Sequence, residues 1–361
     1  LVNVIVDDRN VQVPEGSTIL VAARSAGIKI PTLCYLNLSD FGCVNKAASC
    51  RICVVEVEGR KNLAPACATP VFDGMVIKTN TIKALNARRT VLELMLSDHP
   101  KDCLVCQKSG ECELQDLAAS FGMKEIRYKG KESMYRKDMT KSIIRDMDKC
   151  IMCRRCETMC NDVQTVGALS AVNRGFDSVV ATAMEMDLKD SVCTYCGQCV
   201  AVCPTGALVE RDATWDVLSA LSHSRKKVIV QTAPAVRAAL GEEFDMPPGT
   251  NVTGKMVAAL RKLGFDKVFD TDFAADLTIM EEASELLDRL TRYKNGDPTV
   301  KLPLLTSCCP AWVNFFEHNF SDMLDIPSSA KSPMQMFSAV AKNIFSKELG
   351  VDRRNLVVVS V

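Results

Sequence analysis

Thiols dominate the chemistry open to this chain, and they come in sets. Cys150-x2-Cys153-x2-Cys156-x3-Cys160 is repeated as Cys193-x2-Cys196-x2-Cys199-x3-Cys203, with Pro204 next. Neighbours three apart on a tight loop are better placed to share one metal centre than to pair as disulfides. Three such thiolates suit one face of a 4Fe-4S cube, whereas structural zinc closes with four ligands, usually as two separated pairs. A second set, His99-x3-Cys103-x2-Cys106-x5-Cys112, offers four soft or borderline ligands. By ligand type it suits zinc or an iron-sulfur cube, and its place between other thiol sets favours iron. The third set, Cys34 with Cys50-x2-Cys53 and Cys67, has the one-two-one arrangement of a 2Fe-2S rhomb, although the plant-type Cys-x4-Cys-x2-Cys spacing is not met. Cys43 lies between Cys34 and Cys50 and is expected to be an ordinary, partly buried thiol.

The doubled run resembles bacterial two-cluster ferredoxins, in which the fourth cysteine of each run serves the other cluster. That resemblance implies two crossed sets: Cys150, Cys153 and Cys156 with Cys203, and Cys193, Cys196 and Cys199 with Cys160. Each run leads to Gly-Ala-Leu, at Gly167 and at Gly206, so the segment is an internal repeat. Asn161 stands where the second run has Pro204, and four extra residues precede Gly167, so the first half is expected to be looser. A histidine in place of a thiolate should raise the potential of the His99 cluster, by the logic of Rieske centres. The expected inventory is one 2Fe-2S and three 4Fe-4S clusters.

These sets need elements to hold them. The alternation of Val2, Val4 and Val6, a turn at Pro14-Glu15-Gly16 and a helical stretch over 17–27 predict a small mixed sheet. Residues 82–96 read as a helix that delivers His99 and the loop ending at Cys112. Beyond about 220 the pattern becomes α/β: apolar runs such as 228–230 alternate with helical stretches over 256–263 and 280–290. Four domains follow: 1–80, 81–125, 138–212 and 220–361. The apolar run 302–305 reads as strand-like, and 356–359 reads as a buried strand that needs more chain after it. With Leu1 at the start, both ends look cut.

Composition narrows the class. Eighteen cysteines in 361 residues are about 5% of the chain, below the ~8–10% of a disulfide-rich secreted scaffold. No signal-peptide pattern opens the chain, which predicts a reducing, cytoplasmic setting. Lys plus Arg equals Asp plus Glu at 44 each, so no global basic field calls for nucleic acid or an anionic membrane. No run reaches the ~18 apolar residues of a membrane span. Gly249-x4-Gly254-Lys255 falls short of a phosphate-binding loop: Met256 replaces the Ser/Thr and no strand precedes it. His223 and His318 are lone histidines in polar surroundings.

Thr306-Ser307-Cys308-Cys309-Pro310-Ala311-Trp312 joins two adjacent thiols that cannot both ligate one metal comfortably. This stretch resembles the first active-site motif of iron-iron (FeFe) hydrogenases, and the order of the upstream sets matches the longer members of that family. The first 210 residues are also similar to the largest iron-sulfur subunit of respiratory NADH dehydrogenase and to some formate dehydrogenases. The resemblance implies an α+β multidomain chain: ferredoxin-like iron-sulfur modules followed by the start of an α/β H-cluster domain. It implies that Cys309 ligates the 4Fe-4S half of the H-cluster and that Cys308 is the free thiol passing protons to the diiron half. Glu282, Glu285, Ser328 and Arg289 fall where the family places its proton path, and Ala233-Pro234 with Ser332-Pro333 match segments lining the diiron pocket. The family's second and third motifs would lie beyond Val361. Implied partners are flavin- and iron-sulfur-containing subunits that reduce NAD(P) or ferredoxin, in a hetero-oligomer. Two rival readings remain at this point: a non-catalytic electron-transfer subunit of a dehydrogenase complex, and a zinc-bound interaction protein.

Overall fold

The computed structural model describes residues 1–43 and 45–361. The chain divides into two compact units, Leu1–Arg211 and Asp212–Val361.

The first unit opens with the hairpin β1 (Val2–Val6) and β2 (Arg9–Val13). Its two turn residues, Asp7 and Asp8, both take left-handed backbones, φ 45° and 65°; this is the turn whose twist matches the flanking strands. Helix α1 (Ile19–Ser25) is capped by Thr18, whose hydroxyl accepts from Val21 N–H at 3.4 Å. With β3 (Val54–Val57), β4 (Ala64–Pro65) and β5 (Met75–Lys78) the hairpin forms a five-stranded sheet, order β2-β1-β5-β3-β4. Only β1–β5 is parallel. Val4, Val6, Ile19, Leu20, Val55 and Ile77 fill the core beneath it.

Helix α2 (Ile82–Asp98) starts at the N-cap Thr81 and ends at His99, whose extended backbone turns the chain ahead of Pro100. After the loop through Cys103 and Cys106, α3 (Glu113–Ser120) begins directly behind Cys112. Then β6 (Asp138–Met139) and β7 (Ile143–Arg145) pair antiparallel, followed by α4 (Arg155–Thr158), a π-helical turn over Met159–Val163, and the pair β8 (Ser170–Val172) and β9 (Val179–Ala181). Helix α5 (Gln198–Ala201) and β10 (Leu208–Glu210) close the unit, with β10 added to β7.

In the second unit α6 (Thr214–Leu221) leads into β11 (Lys227–Thr232), α7 (Val236–Ala239), α8 (Thr253–Leu263), β12 (Lys267–Asp270) and α9 (Asp272–Lys294). Next come α10 (Pro310–Asn319), α11 (Pro333–Val340), a π-helical turn over Ala341–Phe345, α12 (Ser346–Glu348) and β13 (Leu356–Ser360). The three strands are parallel, order β12-β11-β13. Such a sheet needs helices on its faces: Phe337 and Ala341 pack on Ile229 and Leu356, and Ala220 with Leu260 pack near Val228 and Val230.

Two sequence expectations change. Residues 302–305 do not form a strand; Leu305 makes a single parallel bridge to Pro327. Pro303 has no N–H to donate to a ladder, which stops a strand there. The 356–359 run is a strand, as expected, but only Leu356 is fully buried along it. Gly254 and Lys255 lie in the first turn of α8.

Candidate metal centres and a paired-thiol site

The two ferredoxin-like runs fold alike because both adopt left-handed backbones at equivalent places. Met152 and Arg154 flank Cys153 with φ 52° and 62°; Tyr195 and Gly197 flank Cys196 with φ 58° and 79°. Such conformations cost non-glycine residues about 1–2 kcal/mol each. They turn successive thiols and N–H groups toward one side, as an anion-binding nest does. Met152 N–H points to Cys150 Sγ and Tyr195 N–H to Cys193 Sγ, both at 3.4 Å.

The thiols group in two crossed sets. Cys150, Cys153, Cys156 and Cys203 line one enclosed pocket with Met147, Ile151, Val180 and Leu208. On the other side Cys193 and Cys199 both feel the charges of Cys160 and Cys196, and Cys160 feels that of Cys196. Burial pushes Cys150 up to about 11 and Cys153 and Cys199 up to about 12; it also raises Cys156, Cys160 and Cys193. Thiols this far from water hold their protons until a cation replaces them. The insertion before Gly167 is absorbed by the π-helical turn that contains Cys160. Its loop is tied back by Asn161 Nδ2 donating to Leu169 O at 3.0 Å and by Ala168 N–H on Cys160 Sγ at 3.3 Å.

His99, Cys103, Cys106 and Cys112 come from the end of α2, the loop and the start of α3. His99 Nδ1 is buried with no hydrogen-bond partner among the described residues, and burial lowers the imidazole's pKa, so it stays neutral. A neutral, unpartnered ring nitrogen fits a ligand role far better than a helix cap. The space here is tailored: a Cβ on Gly206 would sit 2.7 Å from Cys106 Sγ. Glu113 N–H donates to Pro204 O at 3.0 Å, which joins the residue after Cys112 to the residue after Cys203.

In the Cys34 group, Cys53 Sγ and Cys67 Sγ are 3.4 Å apart and Ala48 N–H reaches Cys67 Sγ at 3.2 Å. Cys34 hydrogen-bonds Cys50 and Cys67, and those bonds hold it far below the ordinary thiol range while raising its two partners. Four buried thiols linked by hydrogen bonds fit a 2Fe-2S ligand set. Cys43 stands apart: its single S–H lies within reach of the carbonyls of Phe41 and Asp162, both 3.4 Å from Sγ, and donates to one or is shared between them. Among the described residues no three His, Cys, Asp or Glu side chains converge as ligands of a single metal ion do. Of the sets, the Cys150 group lines an enclosed pocket.

Cys308 and Cys309 are exposed, and Cys309 is the N-cap residue of α10, with Pro310 in the first turn. The preceding loop runs beside 326–330: Ser328 N–H donates to Leu305 O at 2.7 Å, and Ser307 Oγ to Ala330 O at 2.9 Å. Ser328 Oγ donates in turn to Glu285 Oε2 at 2.7 Å, and Arg289 binds Glu285 Oε1 at 2.6 Å. Burial raises Glu285, but the bonds from Ser328 and Arg289 outweigh it and hold the carboxyl below its usual range. Arg289 also donates to the carbonyls of Asp325, Ile326 and Pro327, fixing the loop, a role that spacing alone did not reveal. Glu282, one turn before on α9, has a buried Oε1 without a partner among the described residues. The structure thus gathers Glu285, Ser328 and Arg289 and sets Glu282 on the same helix face. Ala233-Pro234 follow the carboxyl end of β11, and Ser332-Pro333 cap α11; Gln231 Nε2 ties the two by donating to Met334 O at 3.1 Å. The carboxyl edge of a parallel sheet is where open α/β folds bind ligands.

Residues 226–361 match the family described as iron only hydrogenase large subunit, C-terminal domain. Upstream, residues 1–82 match a 2Fe-2S iron-sulfur cluster binding domain, 88–127 an NADH-ubiquinone oxidoreductase-G iron-sulfur binding region, and 149–207 a 4Fe-4S dicluster domain. The chain is 69% identical over its whole length to the NADP-reducing hydrogenase subunit HndD of Solidesulfovibrio fructosivorans, of which it covers 62%. It is 37% identical over 96% of its length to iron hydrogenase 1 of Clostridium pasteurianum, of which it covers 59%. The chain therefore spans about three fifths of the length of these relatives. A solved NAD+-reducing [NiFe]-hydrogenase matches 59% of this chain, and 88% of its own, at 29% identity and a TM-score of 0.53. Cluster-binding domains followed by a hydrogenase domain, with 69% identity to such a subunit, place the chain in the iron-iron hydrogenase large-subunit family.

Proposed function

We propose that the whole protein is the catalytic subunit of an iron-iron hydrogenase that oxidises dihydrogen reversibly, and that this chain supplies its electron relay and the first part of its active site. The observation that carries this reading is the coexistence in one chain of grouped, mostly buried or half-buried thiol sets with the exposed Cys308-Cys309 pair, whose preceding loop is held against a bonded Ser328–Glu285–Arg289 line. The clusters supply one-electron storage, and the H-cluster supplies the cleavage and formation of dihydrogen. We assign one 2Fe-2S cluster to Cys34, Cys50, Cys53 and Cys67, and 4Fe-4S clusters to the His99 set and the two crossed sets, with Cys309 as this chain's H-cluster ligand. The four domains keep the boundaries 1–80, 81–125, 138–212 and 220–361.

Cys308 holds the proton in transit, since a thiol can both give and take one. Glu282 is the next group along, and its unpartnered Oε1 leaves it free to accept. Ser328 and Glu285 continue the line outward, with Arg289 keeping Glu285 in place. Ala233, Pro234, Ser332 and Pro333 wall the site. In the relay, Cys34, Cys50, Cys112 and Cys153 meet in one apolar cluster with Leu33, Ile52, Leu92 and Leu114. This supports a branch at the Cys150-group cluster, with the His99 and Cys34 groups as two arms. Flavin- and iron-sulfur-containing subunits that reduce NAD(P) or ferredoxin are the partners, in the cytoplasm. No helix among the described residues is long and apolar enough to cross a membrane.

Hydrogen evolution by the full-length protein, matured anaerobically with its diiron centre, tests the reading: turnover is expected, and inactivity with every cubane present would end it. The match of residues 88–127 to an NADH-ubiquinone oxidoreductase region favours one rival, a non-catalytic electron-transfer subunit. That rival leaves Cys308-Cys309 without a role. The two readings separate on the sequence following Val361 in the whole protein, where the hydrogenase requires a Met-Pro-Cys motif and a later pair of cysteines.

A further inference from the structure

The buried residues of α2 are Ala84, Arg88, Leu92 and Glu93; Glu93 is paired with Arg89 and Arg127, whereas Arg88 sits between Ala84 and Leu92 on a seam that repeats every fourth position. Arg88 is 4% exposed. Its Nε donates to Val54 O at 3.0 Å, on the residue after Cys53, while Nη2 is buried with no partner among the described residues. Among the described residues no carboxylate forms an ion pair with it, although Glu113 and Asp116 line the same cavity. The charges it feels most are the Cys53 thiol and Asp7, whose own carboxylate is engaged by Thr79 N–H at 2.6 Å. Burying an unpaired cation costs several kcal/mol, and a methionine or glutamine would fill the seam with far less penalty. The neighbour able to offset that cost is an anionic cluster on Cys34, Cys50, Cys53 and Cys67, which gains one further negative charge on reduction.

We infer that Arg88 is a positioning residue for electrons: its buried charge favours the reduced form of the cluster at the Cys34 group and raises that cluster's midpoint potential. The inference rests on the 2Fe-2S assignment above. Arginine suits the task because it stays charged at any working pH. A raised potential makes this arm of the relay the place where an electron comes to rest, as an exit toward a partner requires.

The test is a redox titration of the full-length protein followed by electron paramagnetic resonance, with the 4Fe-4S signals as internal references. R88Q and R88M should lower the 2Fe-2S midpoint by at least a tenfold change in the reduced-to-oxidised ratio, about 59 mV for one electron. R88K should stay near wild type, and the cubane potentials should not move. Neutral variants that keep the cluster at wild-type potential would overturn the inference. So would loss of the cluster from both neutral variants while R88K keeps it at wild-type potential, because Arg88 would then be a structural staple. A wild-type protein lacking any 2Fe-2S signal would instead bring down the assignment on which the inference rests, a separate and recognisable failure.

Discussion

The two units treat cysteine in opposite ways. In the first, the runs around Cys150 and Cys193 are folded inward through left-handed residues and sealed by Met147, Leu169, Val180 and Leu208. In the second, Cys308 and Cys309 stand exposed at the start of α10, and the loop that leads to them is tied to a polar line through Ser307, Ser328, Glu285 and Arg289. The difference follows from the cargo each is proposed to handle. Moving an electron asks for rigid, dry surroundings that change little when charge arrives. Moving a proton asks for a succession of groups that can each donate and accept.

That contrast can be broken at several points. The largest effect is expected for Cys153→Ser, which should remove a whole cluster: about four irons fewer per chain, with hydrogen-exchange protection lost across the surrounding loops. Cys43→Ser should leave the iron content unchanged, and equal iron in both variants would show that burial does not mark the ligands. Cys308→Ser is expected to keep all its iron yet slow hydrogen turnover by about 10²-fold or more; an undiminished rate would remove the thiol from the proton line. Gly206→Ala pushes a methyl into Cys106 Sγ, and overpacking of this kind costs about 1–3 kcal/mol. Its signature should be selective weakening of the His99-cluster resonance signal, with the other cubanes intact. The smallest effect, nil at neutrality, concerns the cluster-free chain. Burial keeps the folded thiols protonated where those of the unfolded chain ionise, so above the ordinary thiol value of 9.0 the folded state binds more protons and stability falls as pH rises. The unfolding temperature should decline between pH 9 and about 12, where Cys153 and Cys199 finally titrate. A flat profile would mean those thiols are not sealed.

Much of the first unit was legible in the sequence because cluster ligands are covalently close: a run such as Cys193-x2-Cys196-x2-Cys199 is itself a local structure. The crossed grouping with Cys160 and Cys203 came through a resemblance; in the folded chain Cys203 lines one pocket with Cys150, Cys153 and Cys156. Arg88 and Gly206 were not legible. Each matters through residues distant in sequence, Val54 and Cys53 for one and Cys106 for the other. In the second unit Glu282 and Glu285 could be placed on one helix face from spacing, but the turn that brings Ser328 to Glu285 depends on Arg289 gripping three successive carbonyls. The strand expected at 302–305 failed because apolarity was weighed above the missing N–H of Pro303.

The bond from Glu113 N–H to Pro204 O has a consequence for biogenesis. Cys112 and Cys203 each sit one residue from it, so ordering either loop fixes one end of the other. Whichever of the two cofactors is inserted first spares the second much of the entropy of loop ordering. Maturation of these neighbouring sites should therefore be cooperative, with half-filled chains scarce among newly made protein.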